Sequence, residues 1–71
     1  MVMERKYSSV IYELRKGKAL SQASLAKVIG VTQKAIDFWE KGINEPKASC
    51  IVVLAKFFDV STDYILGIKD E

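Results

Sequence analysis

The most constraining feature of this chain is a spaced run of apolar and small residues in its centre. The run follows Gln22 and consists of Leu25, Ala26, Ile29, Gly30, Val31, Ile36 and Trp39. Two short helices that cross steeply need a small side chain where their backbones approach, and Ala26 provides it. The turn between them needs a residue that tolerates positive φ, and Gly30 provides that. The spacing therefore predicts two short helices joined by a tight turn.

Hydrophobic periodicity predicts three further helices around this pair. The five predicted helices span about 4–16, 22–29, 33–41, 47–58 and 62–66, with a tail at 68–71. In helices one and two we expect a buried face formed by Tyr7, Val10, Ile11, Leu14, Leu25, Val28 and Ile29. Helix four is apolar nearly all round, which is typical of a helix buried on more than one side. Ser21, Thr32 and Ser61 are suited to cap helices two, three and five. No strand pattern competes, so we expect one all-α domain across residues 1–71.

Composition argues against several functional classes. The 71 residues include no histidine and a single cysteine, Cys50, so an internal disulfide is excluded and a reducing, cytoplasmic setting is favoured. We find no metal-ligand set, no phosphate-binding glycine loop and no nucleophile with a plausible base. No apolar run reaches the roughly 18 residues of a membrane span. We therefore expect neither an enzyme nor a cofactor, and no metal.

Charge is unevenly distributed along the chain. The net charge is +2, but residues 1–27 carry six basic and two acidic residues, whereas residues 51–71 carry two basic and four acidic ones. The N-terminal part is therefore better suited to face an anion, and the C-terminal part to face solvent or protein.

A resemblance to a known family rests on three segments in order: L-S-Q-A-S-L-A-K-V-I-G-V-T-Q-K-A-I-D-F-W-E-K-G, then Pro46, then L-A-K-F-F-D-V-S-T-D-Y-I-L. From about Leu14 to Gly67 the chain resembles the Cro/phage-repressor (XRE-type) helix-turn-helix family. The resemblance implies a five-helix, lambda-repressor-like DNA-binding domain. It also implies a transcriptional regulator, expected to be a repressor, that binds operator DNA as a homodimer with its third helix in the major groove.

The resemblance assigns base contacts to the outward positions of the third helix: Gln33, Lys34, Asp37 and Phe38. Gln33 can pair with adenine, and Lys34 can donate to guanine or to a phosphate. Asp37 can accept from cytosine, and Phe38 can contact a thymine methyl. Asp37 and Phe38 depart from the family, which often has Ser, Asn or Arg at the first position and a basic or amide residue at the second.

Three further sets of residues receive roles. Phosphate contacts are expected from Ser21, Gln22, Thr32, Lys41, Asn44 and Lys47. In the family, the glutamine at the place of Gln22 also braces the one at the place of Gln33. Arg15 and Glu40 match an ion pair that ties helix one to helix three, a structural role. For the dimer interface we expect Val53, Phe57, Tyr64 and Ile65.

The main alternative is a protein–protein interaction module on the same fold, such as an antitoxin-like or anti-repressor-like partner. Such a module could use the apolar surplus of helix four together with Phe38. The lysines and helix N-termini around helix three favour DNA instead. We expect no small-molecule ligand.

Overall fold

The computed structural model describes residues 6–68, and within that range the chain forms five helices and no strand. The helices are α1 (Tyr7–Gly17), α2 (Gln22–Ile29), α3 (Gln33–Lys41), α4 (Ala48–Phe58) and α5 (Thr62–Ile65). The predicted all-α class is confirmed. Helix one was expected from about residue 4, yet Lys6 has extended backbone angles (φ −78°, ψ 141°) and α1 begins after it. The predicted helical residues 4 and 5 and the tail at 69–71 lie outside the described residues.

Side-chain caps set where three of the helices begin. The hydroxyl of Ser21 accepts from the backbone N–H of Ser24 at 3.0 Å, and that of Thr32 accepts from Ala35 at 3.1 Å. The hydroxyl of Ser61 caps α5 in the same way. Each cap satisfies a backbone donor that has no partner inside its helix. The caps that the sequence predicted therefore form, and two of them fix the starts of α2 and α3.

The core lies where α3 packs on α1 and α2, and where α4 packs on α5. Its fully buried large side chains are Val10, Ile11, Leu25, Ile36, Leu54 and Ile65. Trp39 is also buried, with 5% of its surface exposed. Gly30 ends α2 with φ +85°, the left-handed conformation that the turn was expected to need. Within the fold, α1 thus packs on α3 of the helix pair, and α4 packs on α2.

Two expectations of burial differ from the structure, one for Val28 on α2 and one for the apolar residues all round α4. Val28 was expected on the inner face of α2, but 51% of its surface is exposed. At 100° per residue, the buried direction of α2 lies between Leu25, Ala26 and Ile29, and Val28 points well away from it. On α4, Val52 and Val53 remain 42% and 40% exposed in the single chain. The apolar surplus of α4 is therefore surface in one copy of the chain.

Ile65 was expected in a dimer interface, and that prediction is wrong. The residue has no exposed surface in the single chain and belongs to the core cluster. The cause is that α5 is short and packs this side against α4 and α1. Ile65 therefore stabilises the chain itself and cannot contact a partner.

The described part of the chain offers neither a membrane span nor a metal site. No helix within residues 6–68 combines the length and the apolarity that crossing a membrane requires. Over the same residues, His, Cys, Asp and Glu side chains form no cluster of three or more that could hold a metal ion.

Candidate nucleic-acid interface

The orientation of α3 is set by its inner face, which consists of Ile36, Trp39 and Glu40. Ile36 and Trp39 are buried in the core. Glu40 binds Arg15 of α1 through two contacts, with Nε at 2.6 Å from Oε2 and Nη2 at 2.9 Å from Oε1. The two charged side chains expose only 9% and 5% of their surface. Arg15 and Glu40 thus form the pair that the resemblance implies, and α3 cannot rotate without breaking it.

Arg15 connects three parts of the chain rather than two. Besides Glu40, its Nη1 donates to the backbone oxygen of Leu20 at 2.8 Å, in the turn between α1 and α2. The hydrogen bond to Glu40 raises the pKa of Arg15 against the lowering effect of burial. The guanidinium therefore stays charged and keeps α1, the turn and α3 together.

The outward face of α3, formed by Gln33, Lys34, Asp37, Phe38 and Lys41, lies on the opposite side. Gln33 and Lys34 are exposed in the first turn, directly after the capping Thr32. The ammonium of Lys34 lies 5.5 Å from the centre of the Phe38 ring, a cation–π contact. Phe38 is half-buried. Two residues predicted to read bases therefore contact each other before any ligand is present.

Asp37 has a partner on each of its carboxylate oxygens. Oδ2 lies 2.9 Å from Nζ of Lys41, one turn along α3, and Oδ1 accepts from Nε2 of Gln22 at 3.2 Å. These two contacts, Lys41 first, lower the pKa of Asp37. About a third of the Asp37 side chain is exposed, against 61% of Lys41. A contact from Asp37 to cytosine would have to compete with these two contacts. The cytosine contact stays a prediction.

Gln22 uses its amide differently from what the resemblance implies. Its Nε2 donates to Glu40 Oε1 at 3.0 Å as well as to Asp37. A carboxylate accepts a stronger hydrogen bond than a neutral amide does, so the two acidic residues attract this donor more than Gln33 would. Both amide hydrogens are then engaged. The predicted phosphate contact of Gln22 requires at least one of these bonds to break.

The other predicted phosphate-binding residues lie at helix starts and in the loop between α3 and α4. Ser21 and Thr32 are the N-caps of α2 and α3, and Lys47 is the N-cap residue of α4. Asn44 and Lys47 are exposed, and with Trp39 they line an open cavity of about 420 Å³ beside α3. The loop therefore forms a concave surface against the flank of α3.

Tyr7 supports this loop, a role that the sequence did not suggest. Its hydroxyl donates to the backbone oxygen of Asn44 at 3.0 Å, across 37 residues of sequence. Periodicity placed Tyr7 on the core face of α1 and gave no role to its hydroxyl. The available signal was chemical, since a half-buried tyrosine needs a partner for its O–H. The identity of that partner depends on the tertiary fold.

Comparison with known proteins finds relatives among HTH-type transcriptional regulators. Residues 11–65 match a family described as helix-turn-helix. The chain is 35% identical over 65 residues to YobD of Bacillus subtilis (strain 168), an uncharacterized HTH-type transcriptional regulator, and 34% identical over 61 residues to BcrR of Enterococcus faecalis, an HTH-type transcriptional activator. These matches cover 92% and 86% of this chain, but only 58% and 30% of YobD and BcrR.

A solved structure has the same fold as this chain. The crystal structure of the C2 repressor of Salmonella phage P22, in complex with synthetic operator 9T, matches with a TM-score of 0.85 at 32% identity. The match covers 92% of this chain and 98% of that one. The named relatives are transcriptional regulators and not enzymes. The chain therefore belongs to the helix-turn-helix family, in its Cro/phage-repressor (XRE-type) group.

Proposed function

We propose that the chain binds double-stranded operator DNA through α3 and thereby regulates transcription, as a repressor. The observation that carries the proposal is the division of α3. Its inner face is fixed by Trp39 and the Arg15–Glu40 pair, and its N-terminal outward residues Gln33 and Lys34 are exposed. A helix anchored in this way can present its first turn to base edges in a major groove. The likeness to a repressor solved with its operator supports the same function.

Base contacts are assigned first to Gln33. Its side chain is exposed at the first position of α3, and a glutamine amide can pair with N6 and N7 of adenine. Lys34 and Phe38 form a joint surface in which the ammonium covers the ring. Lys34 is suited to guanine or a phosphate, and Phe38 to a thymine methyl.

Phosphate contacts are assigned to groups on either side of α3. The N-terminus of α2, at Ser21, presents backbone N–H groups that suit an anion. On the other side, Asn44 and Lys47 line the open cavity, and the loop that carries them is held by Tyr7. Contacts on both sides would fix the register of the helix on the duplex.

The homodimer is proposed through α4 and α5. Val53 is 40% exposed, and Phe57 and Tyr64 are half-buried, so all three have surface left for a second copy. Ile65 is excluded by its burial. Two recognition helices that occupy successive major grooves would lie about 34 Å apart.

Titration of a mixed-sequence duplex at several salt concentrations tests the function. Phosphate contacts release counterions, so the logarithm of affinity should fall linearly with the logarithm of salt concentration. Selection from random duplexes would then identify the operator. The absence of binding at low salt, or binding without a salt dependence, would contradict the proposal.

The dimer has its own test. Sedimentation of the free chain over a range of concentrations should show a monomer–dimer equilibrium, and Val53→Asp should shift it towards monomer. The matched control is Val28→Asp, because Val28 is also an exposed valine, with 51% of its surface exposed against 40% for Val53, and lies on α2. Equal effects of the two changes, or none, would contradict an α4–α5 interface.

A further inference from the structure

We propose that Asp37 limits the affinity for DNA from within the chain: its carboxylate occupies Lys41 and Gln22, two donors that would otherwise contact phosphates, and so weakens binding to DNA of any sequence. The inference rests on the proposed DNA-binding function. It differs from the cytosine contact predicted for Asp37, because it gives the residue a role that does not depend on a base.

The first step is the geometry of the carboxylate. Asp37 Oδ2 is 2.9 Å from the Lys41 ammonium, and Oδ1 is 3.2 Å from the Gln22 amide nitrogen. Asp37 precedes Lys41 by four residues, the spacing and order in which a helical ion pair is most favourable. A phosphate makes the same kind of contact with an ammonium or an amide N–H. Asp37 therefore stands in the place that a phosphate oxygen would take.

The second step is the number of donors that are engaged. Gln22 has two amide hydrogens, and these are directed to Asp37 and Glu40. Glu40 is held by Arg15 in the interior and cannot move away. The hydrogen directed to Asp37 is thus the one that a phosphate could recruit. The N-terminus of α2 and the middle of α3 are linked through this bond.

The third step is the effect on affinity. Nonspecific binding arises from phosphate contacts, each of which adds to the salt dependence. A carboxylate that competes for two of the donors lowers binding to every duplex alike. The ratio between specific and nonspecific affinity is then unchanged. Asp37 would instead lower the fraction of the chain held on DNA of any sequence at a given salt concentration.

Asp37→Asn tests the proposal, with Asp59→Asn as the matched control. Both changes remove one negative charge, and asparagine tolerates the left-handed conformation of Asp59 at the end of α4 (φ +56°). Affinity for a mixed-sequence duplex is measured for each protein against salt concentration. We expect Asp37→Asn to bind about two- to fivefold tighter than the control, the range set by an exposed ion pair. Its log–log salt slope should steepen by about 0.9, one phosphate contact.

Lys41→Met, made alone and together with Asp37→Asn, identifies the donor. Lys41 should contribute more to affinity in the Asp37→Asn protein than in the wild type. An additive double change would overturn the proposal, as would equal binding by Asp37→Asn and Asp59→Asn. A loss confined to the duplex selected by the wild type would assign Asp37 to base reading instead.

If neither the wild type nor Asp37→Asn binds at low salt, the proposed function fails and this inference with it. If the wild type binds DNA, the comparison of Asp37→Asn with Asp59→Asn decides whether the inference about Asp37 holds.

Discussion

The two faces of α3 are built in opposite ways, although they belong to the same nine residues. On the inner face, the charged side chain of Glu40 is buried and pairs with Arg15 on another helix. On the outward face, the contacts join neighbours on α3 itself, as between Lys34 and Phe38 or Asp37 and Lys41. Gln22 of α2 contacts both faces, through Asp37 and Glu40. Stability thus depends on the inner face, and the outward face remains available to a ligand.

The largest effect is expected from Glu40→Ala. This change leaves the charge of Arg15 buried without its partner, which typically costs about 3–5 kcal/mol. The free energy of unfolding, measured by urea denaturation, checks it. Gln33→Ala is the control on the same helix, with an expected change within about 0.5 kcal/mol. Similar losses from both changes would remove the distinction between the two faces.

Gln33→Ala should weaken the recognition of DNA although it leaves the stability of the fold nearly unchanged. We expect a loss of about 1–3 kcal/mol in binding free energy at one base position of the selected operator, with relaxed preference there. Lys47→Ala should instead weaken binding to all sequences similarly and reduce the salt slope by about one unit. Binding to an operator and its single-base variants distinguishes the two. A uniform loss in Gln33→Ala would show that this residue does not read bases.

Tyr7→Phe should have a smaller effect, on the support of the loop beside α3. It removes the hydrogen bond to the Asn44 backbone and keeps the packing of the ring, so a loss of about 1 kcal/mol in unfolding free energy is expected. Amide hydrogen exchange of Ile43, Asn44, Glu45 and Lys47 should accelerate. Tyr12→Phe is the control, since Tyr12 is also on α1 but 46% exposed. Unchanged exchange in Tyr7→Phe would mean that the loop is held by other contacts.

The smallest effect concerns the titration of Asp37. Lys41 and Gln22 hold its folded-state pKa below the ordinary aspartate value, which is about 3.9. The pairing therefore stabilises the fold fully above that value, and the contribution is lost as pH falls through the lower, folded pKa. Carboxyl chemical shifts measured by NMR should report the low pKa. Lys41→Met should raise it more than Gln22→Ala does, and an unaltered titration in both would exclude these contacts in solution.

Local sequence chemistry was enough to predict the elements. The bounds of α2 and α3, their caps and the left-handed Gly30 depend on neighbouring residues, and all were predicted correctly. The errors arose at residues whose apolar side chain fits either the core or an exposed surface. Ile65 is apolar whether it faces a partner or the core, and only the docking of α5 decides between these.

The polar contacts of the candidate site were harder to predict. A family resemblance supplied Arg15 and Glu40, because both residue types are retained here. It did not suggest the two carboxylates to which Gln22 donates, Asp37 and Glu40. One of them, Asp37, is a residue at which this chain departs from the family pattern. The choice of these acceptors depends on how α2 and α3 pack in the tertiary fold.

The position of Arg15 in the interior determines how freely the outward face of α3 can change. One side chain secures α1, the turn at Leu20 and α3, and it does so from the interior. We therefore expect exchanges at positions 33, 34 and 38 to leave the scaffold intact, so the residues proposed to read bases can be varied by selection or engineering without a matching repair in the core. Position 37 is the exception. A new residue there also alters Gln22, so libraries that vary the outward face should vary positions 22 and 37 as a pair.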